Sequence, residues 1–351
     1  MKIAPIMRAL NNSDLNLSAC LLHTGQHYDA AMKKSFFDQL KIPEPDIDLG
    51  VGSGSHAVQT AEIMKRFEPV LDDLKPKAVL VVGDVNSTIA CALVAVKKNI
   101  PVIHVEAGLR SGDRAMPEEI NRVLTDQISD LLFTTEKTAE PNLINEGVDV
   151  ERIHFAGNVM IDTLLFNLDR AVSDTGSPDL SKGYGLVTLH RPSNVDDPIV
   201  LESLLTVLGQ VSKELPLIFP IHPRTKNKIA EMGLESLIAD ANFYCLPPLG
   251  YLEMLGVMED AKLVLTDSGG IQEETTALGV PCITLRENTE RPITVEEGTN
   301  TIVGSDSEKI LACVSNTLAT GGKSGMVPEL WDGKAAERIA ETISGWVKTL
   351  P

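Results

Sequence analysis

The sequence predicts an α/β protein built from two Rossmann-like domains, and three observations carry that reading. Short runs rich in Val, Ile and Leu alternate with longer segments of helical period, the pattern of parallel strands covered on both faces. The 351 residues suffice for two domains at about 150 residues each. A polar stretch from Ser173 to Gly185 separates two such strand–helix series.

The strand-like runs of the first series are Ala78 to Val82, Pro101 to Val105, Leu131 to Thr134 and Ile153 to Ala156. Ser53 or Ser55 is placed to cap a helix over His56 to Leu74, Pro117 opens one over Glu118 to Ile128, and a third spans Ile161 to Val172. The boundary falls at about 160 to 184. It assigns residues 1–165 to the first domain and 166–333 to the second, with 334–351 returning to the first. The second series runs through Gly185 to Thr188, Leu217 to Ile221, Asn242 to Cys245, Leu263 to Thr266 and Pro281 to Leu285. The closing segment, Gly333 to Leu350, is an amphipathic helix with Ala336, Ile339, Ala340, Ile343 and Val347 on one face. Loops at the carboxyl ends of two such sheets would face a shared cleft, where ligands of doubly wound sheets bind.

Composition narrows the partners. With 31 basic against 49 acidic side chains the net charge is -18, and no block of Lys and Arg interrupts it. This excludes nucleic acid and anionic membranes, while a cleft can still offer a small anion a local positive field. No run reaches the roughly 18 apolar residues of a membrane span, and Met1 to Leu10 lacks the apolar core of a signal peptide. A cytoplasmic chain is expected. The five cysteines, scattered and without a C-x-x-C pair, are expected as buried thiols, and the absence of a His/Cys ligand spacing argues against zinc.

Chemistry concentrates in a few places. In Leu263-Val-Leu-Thr-Asp-Ser-Gly-Gly-Ile-Gln-Glu-Glu, a strand, a glycine turn and a helix follow one another. Small residues at Ser268, Gly269 and Gly270 would let a phosphate reach the free N–H groups of the helix start, and Glu274 could accept from ribose hydroxyls. An ordinary tight turn has the same spacing. In the first half, strand ends deliver Asp84 and Glu106, and Glu118 follows Pro117. Gathered carboxylates shift one another's pKa and divide acid and base duties, whereas Glu118 and Arg122, at i and i+4, could simply pair. His190 and His222 follow strands of the second half with arginines close by, which suits an anionic site. His104 and His154, inside apolar runs, read as structural. Gly52-Ser-Gly-Ser-His-Ala matches a dinucleotide fingerprint but follows what reads as a loop, Ile42 to Asp48, and is set aside.

Taken together, Val82-Gly-Asp-Val-Asn-Ser-Thr, His104-Val-Glu-Ala-Gly-Leu-Arg-Ser, Pro117-Glu-Glu-Ile-Asn-Arg, Gly157-Asn-Val-Met-Ile-Asp, Leu189-His-Arg-Pro, Thr266-Asp-Ser-Gly-Gly-Ile-Gln-Glu-Glu and Glu290-Arg-Pro closely resemble the non-hydrolysing UDP-N-acetylglucosamine 2-epimerases. The resemblance implies a glycosyltransferase-B-like fold, two Rossmann-like domains facing a cleft, with the final helix crossing back to the first domain, in a homodimer. It implies a UDP-sugar substrate inverted at C2 without metal or nicotinamide: anti elimination of UDP to 2-acetamidoglucal, then re-addition. By the same resemblance Asp84, Glu106 and Glu118 are the acid/base candidates and His190 assists the leaving diphosphate. Ser268, Gly269 and Gly270 hold phosphate, Glu274 the ribose, Arg291 a further part of the nucleotide, and Leu249 to Met254 meet uracil, with Arg122 and His222 as further anion contacts. A related UDP-2-acetamido sugar, a hydrolysing epimerase and a glycosyltransferase of the same fold remain alternatives. Two departures stand out. Gln26-His-Tyr-Asp and His190-Arg-Pro replace the Gln-His-Arg-Gln and His-Arg-Arg of allosterically activated members. The chain also begins at Lys2-Ile-Ala-Pro, where members usually have a preceding strand and Gly-x-Arg-Pro loop, so about 15 residues upstream of Met1 are expected.

Overall fold

A computed structural model of the chain describes residues 1–25, 37–172, 180, 183–239 and 242–350. Gln26 to Asp29 lie outside the described residues. The chain divides into two compact units, Met1–Phe166 with Glu329–Pro351, and Asn167–Pro328.

In the first unit, β1 (Leu22–His23) and β2 (Ile47–Asp48) pair in parallel as a small sheet of their own. A second parallel sheet runs in the order β3 (Val79–Val82), β4 (Val102–Ala107), β5 (Leu131–Thr134), β6 (Ile153–Phe155). Side chains alternate across it. Ile103 and Val105 pack with Leu131, Phe133, Ile6 and Leu10, while Val102 and Val81 pack with Ile63, Phe67 and Leu71 of the His56–Leu74 helix. A strand sandwiched this way has no polar face, which is why its sequence reads as an unbroken apolar run.

The C-terminal helix, Ala335–Val347, belongs to this first unit and lays Ala336, Ile339, Ala340 and Ile343 onto the Ile3–Leu10 side of the sheet. Its start is held by Asp162, whose two carboxylate oxygens accept from the N–H groups of Ala335 and Ala336 at 3.1 and 2.7 Å. Gly157, at φ +87°, has no room for a side chain, since a Cβ would lie 2.1 Å from the Leu330 carbonyl oxygen. The Gly157–Asp162 motif is thus the seat on which the returning segment docks.

The second unit is one parallel sheet of β7 (Gly185–Thr188), β8 (Leu217–Pro220), β9 (Phe243–Leu246), β10 (Leu263–Thr266), β11 (Cys282–Thr284) and β12 (Asn300–Ile302), ordered β12-β11-β10-β7-β8-β9. The order reverses between β7 and β10. In open parallel sheets that switch point opens a crevice at the carboxyl ends of the two strands.

Some expectations need correction. The segment read as a loop before Gly52 contains β2, a two-residue strand whose half-exposed Ile47 leaves no apolar run to recognise. The helix expected over Ile161 to Val172 instead spans Val159–Asn167 and tightens into a 3-10 turn at Leu168–Arg170, because Asn158 Oδ1 accepts from Met160 N and starts it early. Of the cysteines, Cys91 and Cys282 are buried and Cys313 is intermediate, but Cys20 and Cys245 are exposed, the latter on the edge strand β9. Among the described residues no helix is long and apolar enough to cross a membrane.

Candidate active site

The first unit brings its acids to the carboxyl ends of adjacent strands. β3 runs into Gly83, at φ +70°, and Asp84 follows at once. Glu106, near the end of β4, has φ +74°, and the pairing with β5 shifts register between Val105 and Ala107. A glutamate in that backbone region costs about 1–3 kcal/mol, and such strain collects at functional sites.

Asp84 and Glu106 each have a cation on them. Lys2 Nζ lies 2.6 Å from Glu106, whose side chain is 1% exposed. The Arg122 guanidinium donates from Nε and Nη2 to Asp84 Oδ2 at 3.1 and 2.5 Å, and from Nη1 to Glu119 Oε2 at 2.6 Å. Glu119 also accepts from the N–H groups of Ser111 and Gly112, fixing the loop after β4. Spacing had suggested Glu118 as the partner of Arg122. The structure gives that place to Glu119, because a buried carboxylate attracts the guanidinium more strongly than half-buried Glu118. Arg122, expected as an anion contact, is committed to Asp84 and Glu119.

The second unit places its candidates around the switch point. His190 follows β7 and Asp267 follows β10. The buried Asp267 carboxylate accepts from the N–H groups of His190 and Arg191 at 3.0 and 2.9 Å and faces His190 Nδ1 at 3.0 Å. Burial pushes its pKa up, but the His190 side chain and these backbone donors outweigh burial and hold it below the usual carboxylate range. His190 thus carries Nδ1–H toward Asp267 and turns Nε2 away. After β8, His222 Nδ1 accepts from Arg224 N at 3.2 Å and caps the Pro223–Met232 helix. Its remaining proton sits on Nε2, and burial, with His190 and Arg224 nearby, lowers its pKa and keeps it neutral. The two rings are 5.9 Å apart between centroids.

Ser268 precedes the Gly269–Leu278 helix without a side-chain cap, so the first-turn N–H groups and the helix dipole remain available to an anion. Gly269 cannot be larger: a Cβ would meet Arg291 Nη1 at 2.6 Å and Glu290 Oε1 at 2.8 Å. Arg291 is locked below the turn, with Nε 3.0 Å from Glu273 and Nη1 2.6 Å from Glu290. Glu274, one turn on, is buried, and desolvation with help from Glu273 pushes it up to about 7 against a hydrogen bond donated by Tyr251 Oη at 3.0 Å. Leu249 lies in the loop after β9 and Met254 in the Tyr251–Glu259 helix, both half-buried.

Sequence reasoning missed Lys2, Glu119, Tyr251 and Asp267 as functional neighbours. Asp267 had a signal, standing directly before Ser268 at a strand end. Among the described residues no group of three or more His, Cys, Asp or Glu could hold a metal ion.

Two Rossmann-like units, one with acids at its strand ends and one with a glycine-started helix beside a His–Asp pair, define an α/β protein of the glycosyltransferase-B-like class. The family model for UDP-N-acetylglucosamine 2-epimerase matches residues 8–344. The chain is 43% identical to the UDP-N-acetylglucosamine 2-epimerase of Methanocaldococcus jannaschii, over 98% of this chain and 95% of that protein. It is 42% identical to a UDP-2,3-diacetamido-2,3-dideoxy-D-glucuronate 2-epimerase of Pseudomonas aeruginosa, over 93% and 92%. The crystal structure of the Methanocaldococcus jannaschii enzyme in complex with UDP-GlcNAc and UDP superposes with a TM-score of 0.89 at 41% identity, covering 98% of this chain and 96% of that one. The chain belongs to the UDP-N-acetylglucosamine 2-epimerase family.

Proposed function

We propose that the protein interconverts UDP-N-acetylglucosamine and UDP-N-acetylmannosamine by anti elimination of UDP and re-addition through 2-acetamidoglucal. The observation that carries this reading is the pair of acids at neighbouring strand ends, Asp84 and Glu106, each held by its own cation, in a chain that also offers an anion-ready helix start. Removing the C2 proton and returning one to the opposite face needs two acid/base groups, a task that Asp84, Glu106 and Glu118 share. The C2 proton is weakly acidic, so cleavage of the C1–O bond must carry much of the elimination, and charge develops on the departing diphosphate. The Nε2–H groups of His190 and neutral His222, the Ser268 hydroxyl and the N–H groups of Gly269 and Gly270 receive that charge. Ionised Glu274 accepts from the ribose, Arg291 braces the turn, and the backbone from Leu249 to Met254 meets uracil. No metal or nicotinamide takes part.

The working form is a homodimer, for which exposed Ile120 and Leu124, one turn apart on the Pro117–Ile128 helix, offer an apolar face. Five free cysteines suit a reducing cytoplasm. A second reading, epimerisation of a related UDP-2-acetamido uronic acid, is favoured by the nearly as similar Pseudomonas relative.

Incubation with each UDP-sugar in deuterated water tests both. The accepted substrate yields two epimers carrying deuterium at C2. Product without C2 deuterium overturns the elimination. Release of free N-acetylmannosamine with UDP would mark a hydrolysing enzyme, and sugar transfer to an acceptor with C2 unchanged a glycosyltransferase.

A further inference from the structure

His104 lies in the middle of β4 with no exposed surface, and the proposed chemistry makes no use of it. Both ring nitrogens nevertheless face acceptors. Nε2 is 2.8 Å from the Gly83 carbonyl oxygen, and Nδ1 is 2.6 Å from Asp126 Oδ1. A carbonyl only accepts, so Nε2 carries a proton. The other oxygen of Asp126, also fully buried, accepts from Gly108 N at 3.1 Å and sits 2.7 Å from Arg110 Nη1. A carboxyl whose second oxygen sits on a guanidinium and an N–H faces the ring as an acceptor, so Nδ1 donates as well.

We infer that His104 is kept as an imidazolium and is a positioning residue for the acid cluster. One N–H fixes the peptide directly before Asp84. The other fixes Asp126, which holds Gly108, two residues beyond Glu106, and lies on the same helix as Glu118 and Arg122. One buried cation therefore ties together all three chain segments that carry the acids. The charged groups around it are Asp126 from the helix, Glu106 on its own strand with Lys2 upon it, and Arg110 beyond Asp126. Burial alone would drive the ring toward neutrality, but Asp126, the Gly83 carbonyl and Glu106 outweigh it and raise its pKa. A buried neutral histidine filling space would need only one of these bonds.

What the acids do rests on the epimerase reading, whereas the protonation state stands apart from it, and the test separates the two. In the full chain labelled with nitrogen-15 histidine, both ring nitrogens of His104 should carry slowly exchanging protons from about pH 6 to 7.5, where an ordinary imidazole loses one. An unprotonated ring nitrogen in that range overturns the inference. His104→Gln keeps a donor for one partner only. Its C2 exchange should lose about 100-fold in kcat, the size of loss that a 1 Å misplacement brings, with KM and UDP affinity changed less than about threefold. If His104→Gln does not fold, Asp126→Asn replaces it and should show the same split. Unchanged kcat in a folded variant, or KM rising alone, contradicts the positioning role. A doubly protonated ring in a protein that exchanges no C2 proton would sink the epimerase reading and leave the imidazolium standing.

Discussion

His104 in the first unit and His190 in the second each pair with a buried aspartate, at 2.6 and 3.0 Å, yet only His190 has a nitrogen to spare. His104 spends its second nitrogen on the Gly83 carbonyl and has no exposed surface. His190 is 38% exposed and turns Nε2 outward at the sheet's switch point. The same pair of side chains is a brace when both ring nitrogens are answered inside the protein and leaves a nitrogen open to a ligand when one is not. The acids and glycines divide likewise. In the first unit cations hold carboxylates in place. In the second, absent side chains at Gly269 and Gly270 leave backbone donors open.

The division of labour can be broken from either side. Glu106→Gln should have the largest effect, lowering C2 exchange by about 10²–10⁴-fold while calorimetry finds UDP binding within about threefold of normal. A matching loss of UDP binding would show that the two units do not divide the work. Asp267→Asn removes the carboxylate charge and one of the two acceptor oxygens that hold the His190 ring and its backbone, so turnover should fall about 100-fold and the pH–rate profile should change shape. An unaltered profile would reduce Asp267 to a loop anchor. Gly269→Ala drives a Cβ into Arg291 and Glu290, which are buried and locked in ion pairs. UDP affinity should drop at least tenfold, with exchange at saturating substrate nearly unchanged. The smallest effect is that of pH on Glu274, whose carboxyl titrates near 7. If the ionised form accepts from the ribose, as proposed, UDP should bind a few-fold more tightly at pH 8 than at pH 6, and Glu274→Gln should remove that slope.

Much of this was legible in the sequence for a physical reason. Leu131–Thr134, Gly185–Thr188 and Leu263–Thr266 fall within the bounds read from their apolar runs, because strands buried on both faces end where polar residues begin. The N-terminal Ile3–Leu10 helix and the edge strand β12, polar Asn300-Thr-Ile, carry no such boundary and went unread. Asp84 and Glu106 were found because strand ends are visible in sequence. Their partners were not, since Lys2 reaches Glu106 across 104 positions and Asp267 reaches His190 across 77. Local pattern says where a side chain leaves an element. Which distant charge meets it is decided by the fold.

The most direct measurement uses UDP-N-acetylglucosamine labelled with oxygen-18 in the bridge between C1 and the β-phosphate. If the diphosphate leaves and its β-phosphate turns before it returns, the label spreads from the bridge into the non-bridging β-phosphate oxygens as epimerisation proceeds. Epimerisation with the label still wholly in the bridge would contradict elimination to a free diphosphate.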